Sequence, residues 1–275
     1  MRVRRLLNRL SYPVCFLMAG AAALWEFPRA RTAYPRLDYL TGWLLMAAVL
    51  FLTAYNGRKK IAFLPLASSR AWLRVHAWLG MLTGLVFFLH TRWRAPSSPF
   101  ELALAALFVA VTLSGLVGWG LSRILPGRLT TAGGEVPYER IPVIRRALRE
   151  RAQELVLEVV PTAGTTTLAD FYAARLSPFF SGPKGFASHL FGSARTLKGL
   201  LTDIDQVKMH LGDHEKSAAI ELAALVREKD ALDLHRSVQL VLKGWLFVHI
   251  PLTYGLLAFV AVHVVLVYSF AGGAR

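Results

Sequence analysis

Residues 72–93, WLRVHAWLGMLTGLVFFLHTRW, and residues 244–270, GWLFVHIPLTYGLLAFVAVHVVLVYSF, decide how this chain reads. Each is an apolar run long enough to cross a bilayer, for which a helix needs about 20 residues. Each also carries two histidines with the same separation: His76 and His90 in the first, His249 and His263 in the second, both pairs 14 residues apart. An ionisable side chain inside a bilayer is costly and calls for a partner. In an α-helix 14 residues return to within about 40° of the same face after a rise of about 21 Å. Each segment therefore presents two imidazoles on one face, one near each side of the membrane.

Composition agrees with a membrane chain. Of 275 residues, 55% are hydrophobic and only 18% charged, where a soluble domain carries about a quarter charged residues. Further apolar runs lie at about 38–55 and 100–121, so that with 72–91 and 240–270 there are four spans. A fifth run, 11–27, is shorter, holds Pro13 and Glu26, and follows the Arg-rich start MRVRRLLNRL. A signal peptide is the alternative for it; here it counts as the first span. The expected fold is all-α: an integral membrane bundle of about five helices, with spans 1–4 in 1–121, a cytoplasmic, mainly helical insertion over 122–239, and the fifth span and tail in 240–275.

Charge sets the expected orientation. Residues 1–121 hold 14 Lys/Arg against 3 Asp/Glu, whereas 122–243 hold 17 against 14. Arg2, Arg4, Arg5 and Arg9, then Arg58, Lys59, Lys60 and Arg70, fall on one side of the five spans. Basic loops stay cytoplasmic, so the N-terminus is expected inside and the C-terminus outside, in a membrane such as the bacterial inner membrane. The basic excess beside apolar runs reads as orientation and not as nucleic-acid binding. The single Cys15 excludes a disulfide framework, a Cys-ligated zinc site, an iron–sulfur cluster and a CxxCH haem attachment.

In the insertion, RLTTAGGEVPYERIP (128–142) is turn-rich and could hold a short hairpin. A helix is expected over 141–159, with Pro142 in its first turn, and another over 168–180. Leu200, Ile204, Val207 and Leu211 make one helical face. After Gly212-Asp213 a helix is expected over 215–231. His210 and His214 are spaced as helical metal ligands can be, but Gly212 between them suggests a break and a solvated surface. His189 shows no partner in the sequence.

With one span between them, the segments at 72–91 and 240–270 run parallel. His76 should then face His249, and His90 should face His263. The object that fits between facing imidazoles, at two depths, is a haem plane, and iron with two axial histidines passes single electrons without binding substrate. Taken singly, each histidine could equally be a core group bonded to a neighbouring Ser, Thr or carbonyl; the doubled spacing is what argues for ligands. Gly80, Thr83 and Phe87 lie on the face between His76 and His90, Gly80 allowing a flat macrocycle close to the backbone. Thr253, Leu256 and Val260 lie between His249 and His263. Arg70, Arg74 and Lys243 are candidates for the propionates of one haem, Arg92 and Arg94 for those of the other. Membrane-edge flanking would explain each of these cations singly. His235 repeats the 14-residue step below His249, but the other segment has Ala62 where a facing ligand would be needed.

These two segments resemble the haem helices of di-haem cytochrome b proteins, the ferric-reductase-like and respiratory cytochrome b membrane subunits. In such helices a histidine is followed shortly by Leu-Gly, as in His76 and Leu79-Gly80, and a second histidine follows the first after thirteen intervening residues. The resemblance covers about 38–121 and 240–270 and leaves out the insertion. It implies His76, His90, His249 and His263 as axial ligands of two haem b groups. It also implies electron exchange with partner subunits such as cytochromes or iron–sulfur proteins, with quinone as a further candidate partner. Unlike ferric reductases and oxidases, the sequence shows no flavin or nicotinamide domain and no GxGxxG fingerprint. That favours an electron-transfer subunit with no catalysis of its own. A stand-alone quinol-oxidising or metal-reducing enzyme, or a haem-free scaffold or transporter whose histidines line a path, are the competing readings.

Overall fold

A computed structural model of the chain describes residues 37–58, 68–130, 136–163 and 166–271, with the single positions 20, 22, 26 and 29. The run 11–27, expected as the first span, lies almost wholly outside the described residues. All described elements are helical, with no strand among them. The long helices are α1 (Leu37–Arg58), α2 (Ser69–His90), α3 (Pro99–Thr130), α4 (Ile141–Ala163), α8 (Arg195–Lys208) and α9 (Asp213–Ala271). Shorter pieces are α5 (Thr167–Phe171), α6 (Ser177–Phe180) and α7 (Phe186–Phe191).

Local chemistry sets the helix ends. Ser68, in extended conformation, accepts the Ala71 N–H at 3.3 Å and starts α2, as N-cap residues do. Ser98 caps α3 in the same way through the Glu101 N–H, with Pro99 at the first helical position, where its missing N–H costs nothing. At α9 the Glu215 carboxylate reaches back to the Gly212 N–H at 3.1 Å. α2 ends in an uncommon turn: Arg92 and Trp93 both adopt left-handed backbone angles, φ 61° and 57°. Such angles cost an L-residue about 1–2 kcal/mol each. The Trp93 N–H donates to the Phe88 carbonyl, and the Trp93 ring stacks on Phe88 with centroids 4.8 Å apart, which offsets that cost.

Among the described residues four helices are long and apolar enough to cross a membrane: Leu37–Tyr55, Ala71–His90, Pro99–Leu125 and a stretch of Asp213–Phe270. The chain forms two compact units, Met1–Trp119 with Trp245–Arg275, and Gly120–Gly244. In the first unit Val49, Phe108 and Leu256 form a small core, and Phe87 stacks on Phe108 at 4.1 Å. Leu40, Leu44, Leu113, Val117 and Phe247 point outward and exposed, an arrangement suited to lipid.

The second unit is a helical domain with an ordinary apolar core, built from Leu148, Ala152 and Leu155 of α4, Phe179 and Phe180 of α6, Leu200 and Ile204 of α8, and Leu222 and Val226 of α9. Lys243 meets Glu139 and Arg151 meets Glu221, so α4 and the first part of α9 run antiparallel. Three details differ from the sequence expectations. No hairpin forms among the described residues of 128–142: α3 continues to Thr130 and residues 138–140 make a 3-10 turn. The helix expected over 168–180 is broken into α5 and α6 by a π-turn at Tyr172–Leu176. The helix expected at 215–231 and the fifth span are one 59-residue element, α9, because neither glycine nor proline interrupts 213–243.

Candidate functional site: two histidine pairs

In the first unit, His76 on α2 and His249 on α9 are electrostatic neighbours, and so are His90 on α2 and His263 on α9. Two such relations, 14 residues apart on both helices, require α2 and the end of α9 to run parallel. All four rings are partly buried.

Hydroxyls from two other helices hold one imidazole of each pair. The Nδ1 of His90 lies 3.0 Å from Oγ1 of Thr41 on α1. The Nδ1 of His249 lies 3.1 Å from Oγ of Ser114 on α3. The glycine following each hydroxyl lies against the same ring: a Cβ on Gly42 would sit 3.3 Å from Cε1 of His90, and one on Gly115 would sit 3.7 Å from Cε1 of His249. His249 is held further by Trp245, whose ring stacks on it at 5.1 Å and whose Nε1–H donates to the Ser114 carbonyl at 2.8 Å. Trp245 can lie there only because position 118 is glycine; a Cβ at Gly118 would fall 1.9 Å from Cζ2 of Trp245. His76 packs on Tyr55, ring centroids 5.2 Å apart, and its Nδ1 is buried with no hydrogen-bond partner among the described residues.

A cavity of about 590 Å³ opens between His90 and His263, lined also by Tyr39, Trp43, Phe87 and Val260. That volume falls within the range of small-molecule and cofactor sites, about 300–1,000 Å³. Asp38, Arg94 and Glu101 stand at its polar parts, and Trp43 Nε1–H donates to the Tyr268 hydroxyl at 2.9 Å across it.

The sequence candidates fall out as follows. Arg94 lines the cavity, whereas Arg92 pairs with Asp38 at 2.5 Å. Arg74 is exposed, and the Arg70 side chain lies outside the described residues. Lys243 belongs to the second unit, where its Nζ sits 2.7 Å from Glu139 Oε1 and over the Tyr138 ring. Space beside Gly80 is open, with no atom within 4 Å of a Cβ there. Thr83 and Thr253 turn their hydroxyls back to the Leu79 and His249 carbonyls of their own helices. His235 is buried in the second unit. His189, for which the sequence showed no partner, faces Asp230, Nε2 to Oδ1 3.6 Å. His210 and His214 are exposed on either side of the break at Gly212.

Sequence reasoning missed Thr41, Gly42, Ser114, Gly115 and Trp245. The first two and the next two share a pattern, a hydroxyl followed by glycine in the middle of an apolar run, but Thr83-Gly84 of α2 has it too, so the pattern alone does not find them. Comparison with family models, with curated proteins and with solved structures gives no match for this chain.

The donor set was tested against a haem. A bare transition-metal ion held by protein alone needs about four ligands. Among the described residues no three His, Cys, Asp or Glu side chains gather into such a cage. Two facing imidazoles suffice only where the other donors come with the metal, as they do in a porphyrin. A hydroxyl at Nδ1 also leaves Nε2 for the iron, the usual outer-shell arrangement of a ligating histidine. The residues present fit the group.

Proposed function

We propose that this chain is a transmembrane electron-transfer subunit of cytochrome b type, holding two haems through His76/His249 and His90/His263. The observation that carries the reading is the pairing of α2 and α9 imidazoles at two levels 14 residues apart, one ring of each pair fixed at Nδ1 by a hydroxyl. Haem supplies reversible one-electron iron chemistry when bound. The protein's part is to orient the four rings, to exclude water with Phe87, Leu256 and Val260, and to offer Arg94 to a propionate at the cavity.

In this reading electrons enter at one level and leave at the other, about 21 Å of helix rise away. They are exchanged with partner subunits such as cytochromes or iron–sulfur proteins, or with the quinone pool. The Arg-rich loops favour a cytoplasmic N-terminus and cytoplasmic residues 122–239 in an inner membrane, with the second unit as a docking domain.

The test is the visible spectrum and haem content of the purified full chain. Two low-spin haems per chain are expected, and His90→Leu or His263→Leu should remove one and leave the other. An intact, membrane-inserted chain without haem would overturn the proposal. Haems reduced by NADH alone, with no partner present, would overturn its electron-transfer part.

A further inference from the structure

Thr41 carries a constraint that a distance alone does not. Its hydroxyl has one proton, and that proton is directed to the Asp38 carbonyl of its own helix, Oγ1 to O 2.9 Å. Toward His90 Nδ1, 3.0 Å away, the hydroxyl therefore has only lone pairs. With the hydroxyl proton on the Asp38 carbonyl, the hydrogen between them belongs to the imidazole, which makes Nδ1 the N–H and Nε2 the bare nitrogen. Thr41 is 5% exposed, so water does not compete for this bond. Gly42 closes the other side, its Cα lying so near the ring that a methyl group would approach Cε1 to 3.3 Å.

The same two-residue device recurs on α3. Ser114 Oγ meets His249 Nδ1, and Gly115 lies against His249 Cε1. The two devices stand on different helices and act on different pairs, yet the hydroxyl takes Nδ1 and the glycine takes Cε1 in both.

We infer that Thr41-Gly42 and Ser114-Gly115 are positioning residues, each pinning the ring of one histidine per pair, and Thr41 its tautomer as well, so that Nε2 faces the bound group. This rests on the haem reading above. An oxygen accepting from Nδ1–H raises the electron-donating power of the imidazole and so favours ferric over ferrous iron. Thr41 thereby lowers the midpoint potential of its own haem and leaves the other alone.

The experiment is a redox titration of the purified full chain, followed optically, with haem quantified in each variant and ferric low-spin electron paramagnetic resonance as a second readout. Thr41→Val removes the hydroxyl and keeps the shape. It should raise the midpoint of one haem and shift its resonance, or weaken that haem's retention about tenfold or more. Thr41→Ser should restore the wild-type values. Ser114→Ala should move the other haem. If Thr41→Val holds both haems at unchanged midpoints, or if Thr41→Ser behaves like Thr41→Val, the inference is wrong while the haem reading stands. A wild-type chain with no haem overturns both.

Discussion

The two compact units handle buried polar groups in opposite ways. In the second unit the buried charges close on each other. Lys229 Nζ, with no side-chain exposure, sits 2.5 Å from Asp233 Oδ2, 2.9 Å from the Gly182 carbonyl and 3.9 Å from the centre of the Phe179 ring. Asp233 also accepts the Lys184 N–H at 3.0 Å. This network ties the 182–185 segment to α9 and leaves little for a ligand. In the first unit, each pair has one imidazole held by a neutral hydroxyl at one nitrogen, with the other nitrogen left over. The ion pair of the second unit is met by several groups at once, with only Asp233 Oδ1 left without a hydrogen bond among the described residues; an imidazole of the first unit is fixed at one atom and open at the other.

The sharpest way to break the first unit is at Gly118. Gly118→Ala puts a methyl group 1.9 Å from the Trp245 ring, which must swing away and give up its bond to Ser114 and its stack on His249. Overpacking of this kind costs about 1–3 kcal/mol or more. Haem content should fall from two per chain toward one, and the low-spin signal lost should be the one that His249→Leu removes. Retention of both haems at normal stability would show that Trp245 is not holding the site.

The matching break in the second unit is Asp233→Ala, which leaves Lys229 buried and unpaired. The expected cost is about 3–5 kcal/mol, read as a lowered thermal midpoint and faster proteolysis within 182–233. Replacing both partners, Lys229→Met with Asp233→Leu, should recover most of it. Both haems should persist in either protein if the two units carry separate duties.

The smallest effect is electrostatic. Glu139 is held below the ordinary carboxylate value, first by its hydrogen bond from Lys243. A carboxyl depressed in the folded state adds stability above its unfolded value, and loses it as pH falls through the folded one. Glu139→Gln should thus lower the thermal midpoint slightly at neutral pH, and the two proteins should converge in acid. Both groups are exposed, and exposed pairs contribute little.

Much of this is legible in the sequence. His76, His90, His249 and His263 stand out because period and polarity act along one helix, where counting residues is enough. The hydroxyls did not. Ser and Thr in apolar helices commonly bond back to their own carbonyls, as Thr83 and Thr253 do, and nothing local distinguishes Thr41 from them. Only the crossing of α1 beside α2 brings it to His90. Lys229 carries no local sign of its burial, because α9 shows the same charged composition whether or not other elements cover it. At 240 hydropathy changes but helix propensity does not, so one helix runs through the junction.

If the four histidines hold two haems as proposed, the equal spacing on α2 and α9 makes length itself a functional quantity. One residue inserted between His76 and His90 would turn the second ring by about 100° and displace it by about 1.5 Å. One level would then be matched and the other lost, whichever way the helix slid to compensate. A matching insertion between His249 and His263 would bring the rings back into step. The two helices thus behave as a pair of graduated rules that agree at two marks. Substitutions can accumulate between the marks, but a change in the number of residues on one rule must be met by an equal change on the other.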